Sequence, residues 1–159
     1  MAHYPRSGCT ARTTFQLVGP QSWTAVPAAL VYDSVDPFAV RVRFGDGGPD
    51  DLDGQYDVPD DDGGVEWLLS RDLLRAGLTG PVGEGDVRLW PARGGLDVVF
   101  LQLRAPSGEA LFELSGAVVG DFLRETELLV PAGTESDLLR VDDELSALLR
   151  GGTDNPTGR

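Results

Sequence analysis

The chain has 159 residues, 13 basic and 26 acidic side chains, and a formal net charge of −13. That length suits one domain with a core of its own, expected over residues 1–150, with 151–159 (GGTDNPTGR) a disordered polar tail. The charge disfavours nucleic acid and anionic membrane, which need a basic stripe, and permits a partner with a basic patch.

In chain order, residues 11–18 (ARTTFQLV) alternate, with Thr13, Phe15 and Leu17 on one side. Residues 28–33 (AALVYD) form a second strand entered through Pro27, and 37–44 (PFAVRVRF) a third. In the third, Phe38, Val40, Val42 and Phe44 share a buried face opposite Ala39, Arg41 and Arg43. YDSVDP between these strands reads as a hairpin turn. Residues 45–64 hold eight aspartates and no Lys or Arg, so a disordered acidic loop is expected there. Val65, Trp67 and Leu69 then mark the core face of another strand. Ser70 caps a short helix with Asp72 in its first turn, and Gly77 supplies the left-handed residue that ends it.

Gly83 and Gly85 bracket a turn, and Asp86–Trp90 resumes period two. Residues 97–104 and 109–114 form a hairpin about the APSG turn, with Val99, Leu101, Leu103 and Ala110, Phe112, Leu114 as apolar faces. Ser115 caps a helix running to about Val130, where Pro131 stops it; Val119, Phe122 and Leu123 fall at helical spacing. Asp142 caps a last helix with Leu145, Leu148 and Leu149 buried. The sum is an α+β domain: about seven mostly antiparallel strands in two packed layers or a partial barrel, followed by C-terminal helices.

Candidate chemistry is sparse. No apolar run approaches the about 18 residues that cross a bilayer, and MAHYPRSGCTARTTF has no apolar stretch after its arginine. A cytoplasmic protein without membrane insertion is expected. Cys9 and His3 are the only residues of their types and lack neighbours at metal-ligand or triad spacing, so neither a cofactor nor catalysis is expected. Around Asp51-Leu52-Asp53-Gly54 the spacing and closing Glu of a calcium loop are missing. Trp90 shares a strand face with Arg88, opposite Val87 and Leu89; an aromatic beside Arg suits an interface anchor or a platform for single-stranded bases. The candidate partner contacts are Arg88, Trp90 and Arg93 around the WPAR turn, and Asp72 and Arg75 on the short helix.

Three segments carry a family resemblance: VPAALVYDSVDPFAVRVRF (26–44), VEWLLSRDLLRAGLTGPVGEGDVRLWP (65–91) and LVPAGTESDLLRVDDELSALL (129–149). In order and spacing they resemble the SsgA-like family of actinomycete developmental regulators over roughly residues 11–149. The acidic 45–64 segment is an insertion relative to that pattern. The resemblance implies a whirly-like fold and a homo-oligomer, most simply a trimer. It also implies a non-enzymatic regulator of sporulation-specific division that sits at septum sites and recruits or organises the tubulin-like protein FtsZ, with FtsZ or other SsgA-like proteins as partners. The alternative is a single-stranded nucleic-acid-binding protein of similar fold.

Overall fold

The computed structural model describes residues 8–45, 65–137, 144, 145 and 147–149. The eight aspartates of the 45–64 segment, His3, the Asp142 cap and the 151–159 tail lie outside the described residues.

Among the described residues eight strands form one antiparallel sheet: β1 (Gly8–Val18), β2 (Trp23–Asp33), β3 (Ala39–Phe44), β4 (Val65–Ser70), β5 (Val82–Glu84), β6 (Val87–Pro91), β7 (Val98–Ala105) and β8 (Gly108–Ser115). Their spatial order is β4-β3-β2-β1-β8-β7-β6-β5. Among the described residues two helices are bounded, α1 (Arg71–Gly77) and α2 (Gly116–Leu129), and residues 135–137, 144, 145 and 147–149 are helical as well. The expected seven strands become eight because Val82–Glu84, too short to show a period, pairs with Val87–Leu89 across the Gly85-Asp86 turn. Gly85 takes φ 59° there, a conformation that favours glycine.

The two-layer alternative gives way to the partial barrel. Neighbouring strands lie about 4.8 Å apart, so β3 and β8, three spacings apart, would stand about 14 Å apart in a flat sheet. Yet Phe44 on β3 stacks on Phe112 of β8 at 4.8 Å, and Phe15 of β1 packs edge-on to Phe44 at 5.6 Å. The sheet therefore curls, and its inner face collects the core: Leu30, Tyr32, Val40, Val42, Leu69, Leu89, Leu101 and Leu114 among others. α2 lays Val119, Phe122 and Leu123 into that concavity. Ser70 and Ser115 cap the two helices, accepting hydrogen bonds from Leu73 N and Val118 N. Asp97 adds to the second cap through Ala117 N.

Several expectations are corrected. β2 begins at Trp23 and so contains Pro27. Pro27 O accepts from Gly45 N, beyond the last β3 ladder pair, so the missing N–H breaks no rung. Gly77 ends α1 without a positive φ. Its role is closeness: a Cβ there would meet Leu89 Cβ at 2.7 Å. Phe38 precedes β3 in the turn and is 40% exposed. Val65, at the open end of an edge strand, is 55% exposed. Leu145, Leu148 and Leu149 are exposed by 53–77%, because α1 and α2 already fill the concave face that would have received them.

Candidate functional site

The curl gives the sheet two unlike faces. Alternation puts the core on the inside, and no described helix covers the outside. On β6, Val87 and Leu89 point inward, while Arg88 and Trp90 point outward. Trp90 lies opposite Phe100 of β7, and the rings stack at 5.7 Å with 28° between planes. Arg88 lies opposite Gln102. Gln102 donates to Glu109, which also accepts from Arg104 at 2.8 Å. Arg88 is exposed and has no ion-pair partner among the described residues.

Further round the same face Trp23 opens β2 opposite Val18 and is 57% exposed. Arg12, Arg41 and Arg43 stand on the outward positions of β1 and β3, with Glu66 bonded to Arg43 at 2.9 Å. The outer face thus offers two tryptophans, a phenylalanine and several guanidinium groups on a rigid sheet. Aromatic and arginine side chains dominate protein–protein anchors: the rings bury much area at little entropy cost, and the guanidinium adds planar, directional hydrogen bonding.

The five expected contact residues do not form one patch. Arg88 and Trp90 share the outer face, and Arg93 lies just beyond β6 in the exposed 92–97 turn, which Ala92 N closes by donating to Val98 O at 2.8 Å. Asp72 and Arg75 sit on α1, which packs toward the concave side. Arg75 is committed there: Nη1 donates to Asp72 at 2.8 Å and Nε to Glu127 of α2 at 2.9 Å, tying the helices together. The sequence gives no sign of Trp23's place on this face, because its half of β2, WTAVP, lacks strand-like alternation.

A second feature escaped sequence reasoning. Arg71, the first residue of α1, is wholly buried. Nη1 donates to Val130 O at 2.7 Å and Thr126 O at 3.2 Å, and Nη2 to the Glu135 carboxylate. The guanidinium carbon lies 5.1 Å from the centre of the Tyr32 ring, and Nε has no partner. Glu135 also accepts from Gly133 N at 2.8 Å. Burial alone would push this carboxyl up, but the Arg71 hydrogen bond and charge and the backbone N–H groups outweigh it, holding the carboxyl below its ordinary value. Burial raises the Tyr32 hydroxyl, with Arg71 opposing. The hint in the sequence was an arginine at a helix N-terminus, where a cation is disfavoured unless something specific holds it. This cluster is a structural clamp: it is sealed from solvent and fastens the segment after α2 to the body.

Among the described residues no group of three or more His, Cys, Asp or Glu could hold a metal ion, and no helix is long and apolar enough to cross a membrane. Burial, and next the Glu125 charge, raise the Cys9 thiol.

Comparison with known proteins bears on this geometry. Residues 26–135 match the family model described as "Streptomyces sporulation and cell division protein, SsgA". The sporulation-specific cell division protein SsgB of Streptomyces coelicolor is 41% identical over 134 residues, 84% of this chain and 88% of that protein. Its counterpart in Thermobifida fusca is 38% identical over 140 residues, 86% of this chain and 91% of that protein. The crystal structure of an SsgA-like sporulation-specific cell division protein from Thermobifida fusca superposes with a TM-score of 0.74 at 34% identity, covering 92% of this chain and 98% of the other. A solved structure of SsgB, described as "Mutations in SsgB correlate to longitudinal cell division during sporulation of Streptomyces coelicolor", gives 0.69 at 35% identity, covering 86% and 99%.

Proposed function

The chain belongs to the SsgA family of sporulation and cell division proteins, and from that premise we propose that it acts in sporulation-specific cell division as a docking protein rather than an enzyme. The observation that carries the reading is the common naming of relatives about 40% identical over most of the chain as sporulation-specific cell division proteins. The outer sheet face supplies the means. Trp90 on Phe100, with Arg88 beside it, forms an anchor that a partner can cover without disturbing the core.

In this reading the protein gathers at division septa and recruits or organises FtsZ, alone or with other SsgA-like proteins. Assembly as a homotrimer, in keeping with a whirly-like arrangement, would present the same face three times. Repetition multiplies weak contacts to a filament through effective concentration. Arg93 extends the anchor; Asp72 and Arg75 remain second-rank contacts, since their charges are already engaged.

The test uses a fluorescently tagged copy in the native spore-forming host. Ladders of foci at or before the arrival of FtsZ are expected, and deletion should disturb sporulation septation while sparing vegetative growth. A uniformly diffuse protein in a strain that septates normally without it would sink the proposal.

A further inference from the structure

The two ends of the curled sheet nearly meet and do not join. β4 pairs only with β3, and β5 only with β6, so each presents one unpaired edge among the described residues. Between them lies an open cleft of about 320 Å3. Trp67 and Leu69 line it from β4, Leu73 from α1, and Glu84, Asp86 and Val87 from the β5–β6 hairpin.

The two edges differ in how they are protected. β5 is three residues long, which is itself a defence against stray pairing. β4 (VEWLLS) is six residues long and mostly apolar, without the lysine, proline or bulge that normally blunts an edge. Its outward Leu68 is 61% exposed. Its one charged residue, Glu66, is occupied by Arg43 and Arg41 of the neighbouring strand. An unblunted apolar edge beside a cleft is the geometry that accepts an added strand.

We propose that this seam is a second docking site, taking an extended segment of another protein as a strand added along β4. The chemistry of the walls selects the occupant. The backbone of β4 supplies the ladder, and Leu69, Leu73 and Val87 call for apolar side chains at alternate positions. Glu84 and Asp86, neither with an ion-pair partner among the described residues, call for Arg or Lys where the segment passes the hairpin. Trp67, on the same face of β4 as Leu69, widens that apolar wall. A second copy of this chain fits less well. Each copy carries a net charge of −13, and pairing β4 with β4 would face acidic seams toward one another. The inference stands apart from the outer face and needs no role in division.

The test is made on the full chain with a short fluorescein-labelled peptide alternating valine and arginine. Saturable binding by anisotropy is expected, with amide shifts in a 15N spectrum concentrated on Val65–Ser70. N-methylation of the peptide at alternate residues, made in both registers, removes the ladder while keeping the charge. One register should weaken binding by about tenfold or more. The Glu84→Gln, Asp86→Asn double variant, both positions exposed, should keep its circular dichroism and bind about threefold or more weakly. A valine–glutamate peptide should not bind. Equal affinity for both N-methylated peptides, shifts confined to the outer face, or no saturable binding would each overturn the proposal. Dissociation of a homo-oligomer by the peptide would also overturn it, naming a second copy as the natural occupant.

Discussion

Replacing Glu135 by Ala is the most direct test of how the body holds its C-terminal segment. Arg71 is fully buried and Glu135 is 4% exposed, so the substitution strands a cation where water cannot reach it. Nε of Arg71 is already unpartnered, Nη2 would join it, and Gly133 N would lose its acceptor. Breaking a buried ion pair from one side costs about 3–5 kcal/mol. Against a typical total of about 5–15 kcal/mol, that is a large share. At about 2–4 °C per kcal/mol for a chain of this size, Tm should fall by about 6–20 °C.

The Arg71→Met, Glu135→Leu double variant removes both charges; Gly133 N loses its acceptor as in the single variant, and the added loss is the donor to Val130 O, since Thr126 O still accepts from Val130 N. One unsatisfied carbonyl costs about 1–3 kcal/mol, so the double variant should be more stable than Glu135→Ala. Acid supplies an independent check. The folded Glu135 carboxyl titrates below its ordinary value of 4.5, so its contribution is complete above that pH and is lost as pH falls through the folded value. Glu135→Gln should lack that share of acid sensitivity. Urea denaturation followed by circular dichroism at several pH values measures all of this. A loss below about 1 kcal/mol in Glu135→Ala would refute the clamp.

Trp90→Ala should retain its circular dichroism and lose about 2 kcal/mol of partner binding if the outer face is the anchor, whereas a global unfolding signal would place Trp90 in the core. Gly77→Ala should cost about 1–3 kcal/mol by calorimetry, since its Cβ would meet Leu89 Cβ at 2.7 Å between packed elements. Phe44 lies opposite Val65, so a short Gly-Ser link in place of residues 46–63 should rejoin β3 to β4 with little change in Tm. Electrophoretic mobility shift at low salt should give no complex with single-stranded DNA or RNA; a tight one would revive the nucleic-acid alternative.

What the sequence made legible followed local physics. Two serines at strand-to-helix junctions announced both helices, and period-two alternation placed Arg88 and Trp90 opposite Val87 and Leu89. Elements failed to show where local pattern was weak. WTAVP has a proline and small residues, yet β1 pairs with it from Val18↔Trp23 onward, so tertiary pairing overrides propensity. The Arg71–Glu135 pair is separated by 64 positions, and no local rule joins residues so far apart. The stripe of Leu145, Leu148 and Leu149 had the right period and the wrong consequence, because periodicity shows that a face is apolar, not that this chain covers it.

A chain at −13 looks uniformly acidic, but charge acts where it is placed. On the outward strand positions Arg12, Arg41, Arg43, Arg88 and Arg104 outnumber Asp33, Glu66, Glu109 and Glu113 by one. The seam, by contrast, presents Glu84 and Asp86. Eight further aspartates lie between positions 46 and 62. A partner approaching the outer face therefore meets aromatic rings and guanidinium groups, while the seam meets it with carboxylates. If both proposed surfaces dock, their opposite preferences let one small sheet hold two unlike partners at a fixed spacing. Salt should then weaken both contacts, but Trp23→Ala on β2, two strands from β4 and four from β6, should leave the seam intact, because sites more than about 10 Å apart with no shared partners act additively. Coupled loss at both surfaces after Trp23→Ala alone would mean that the sheet is not the rigid spacer that its curled, aromatic-packed core implies.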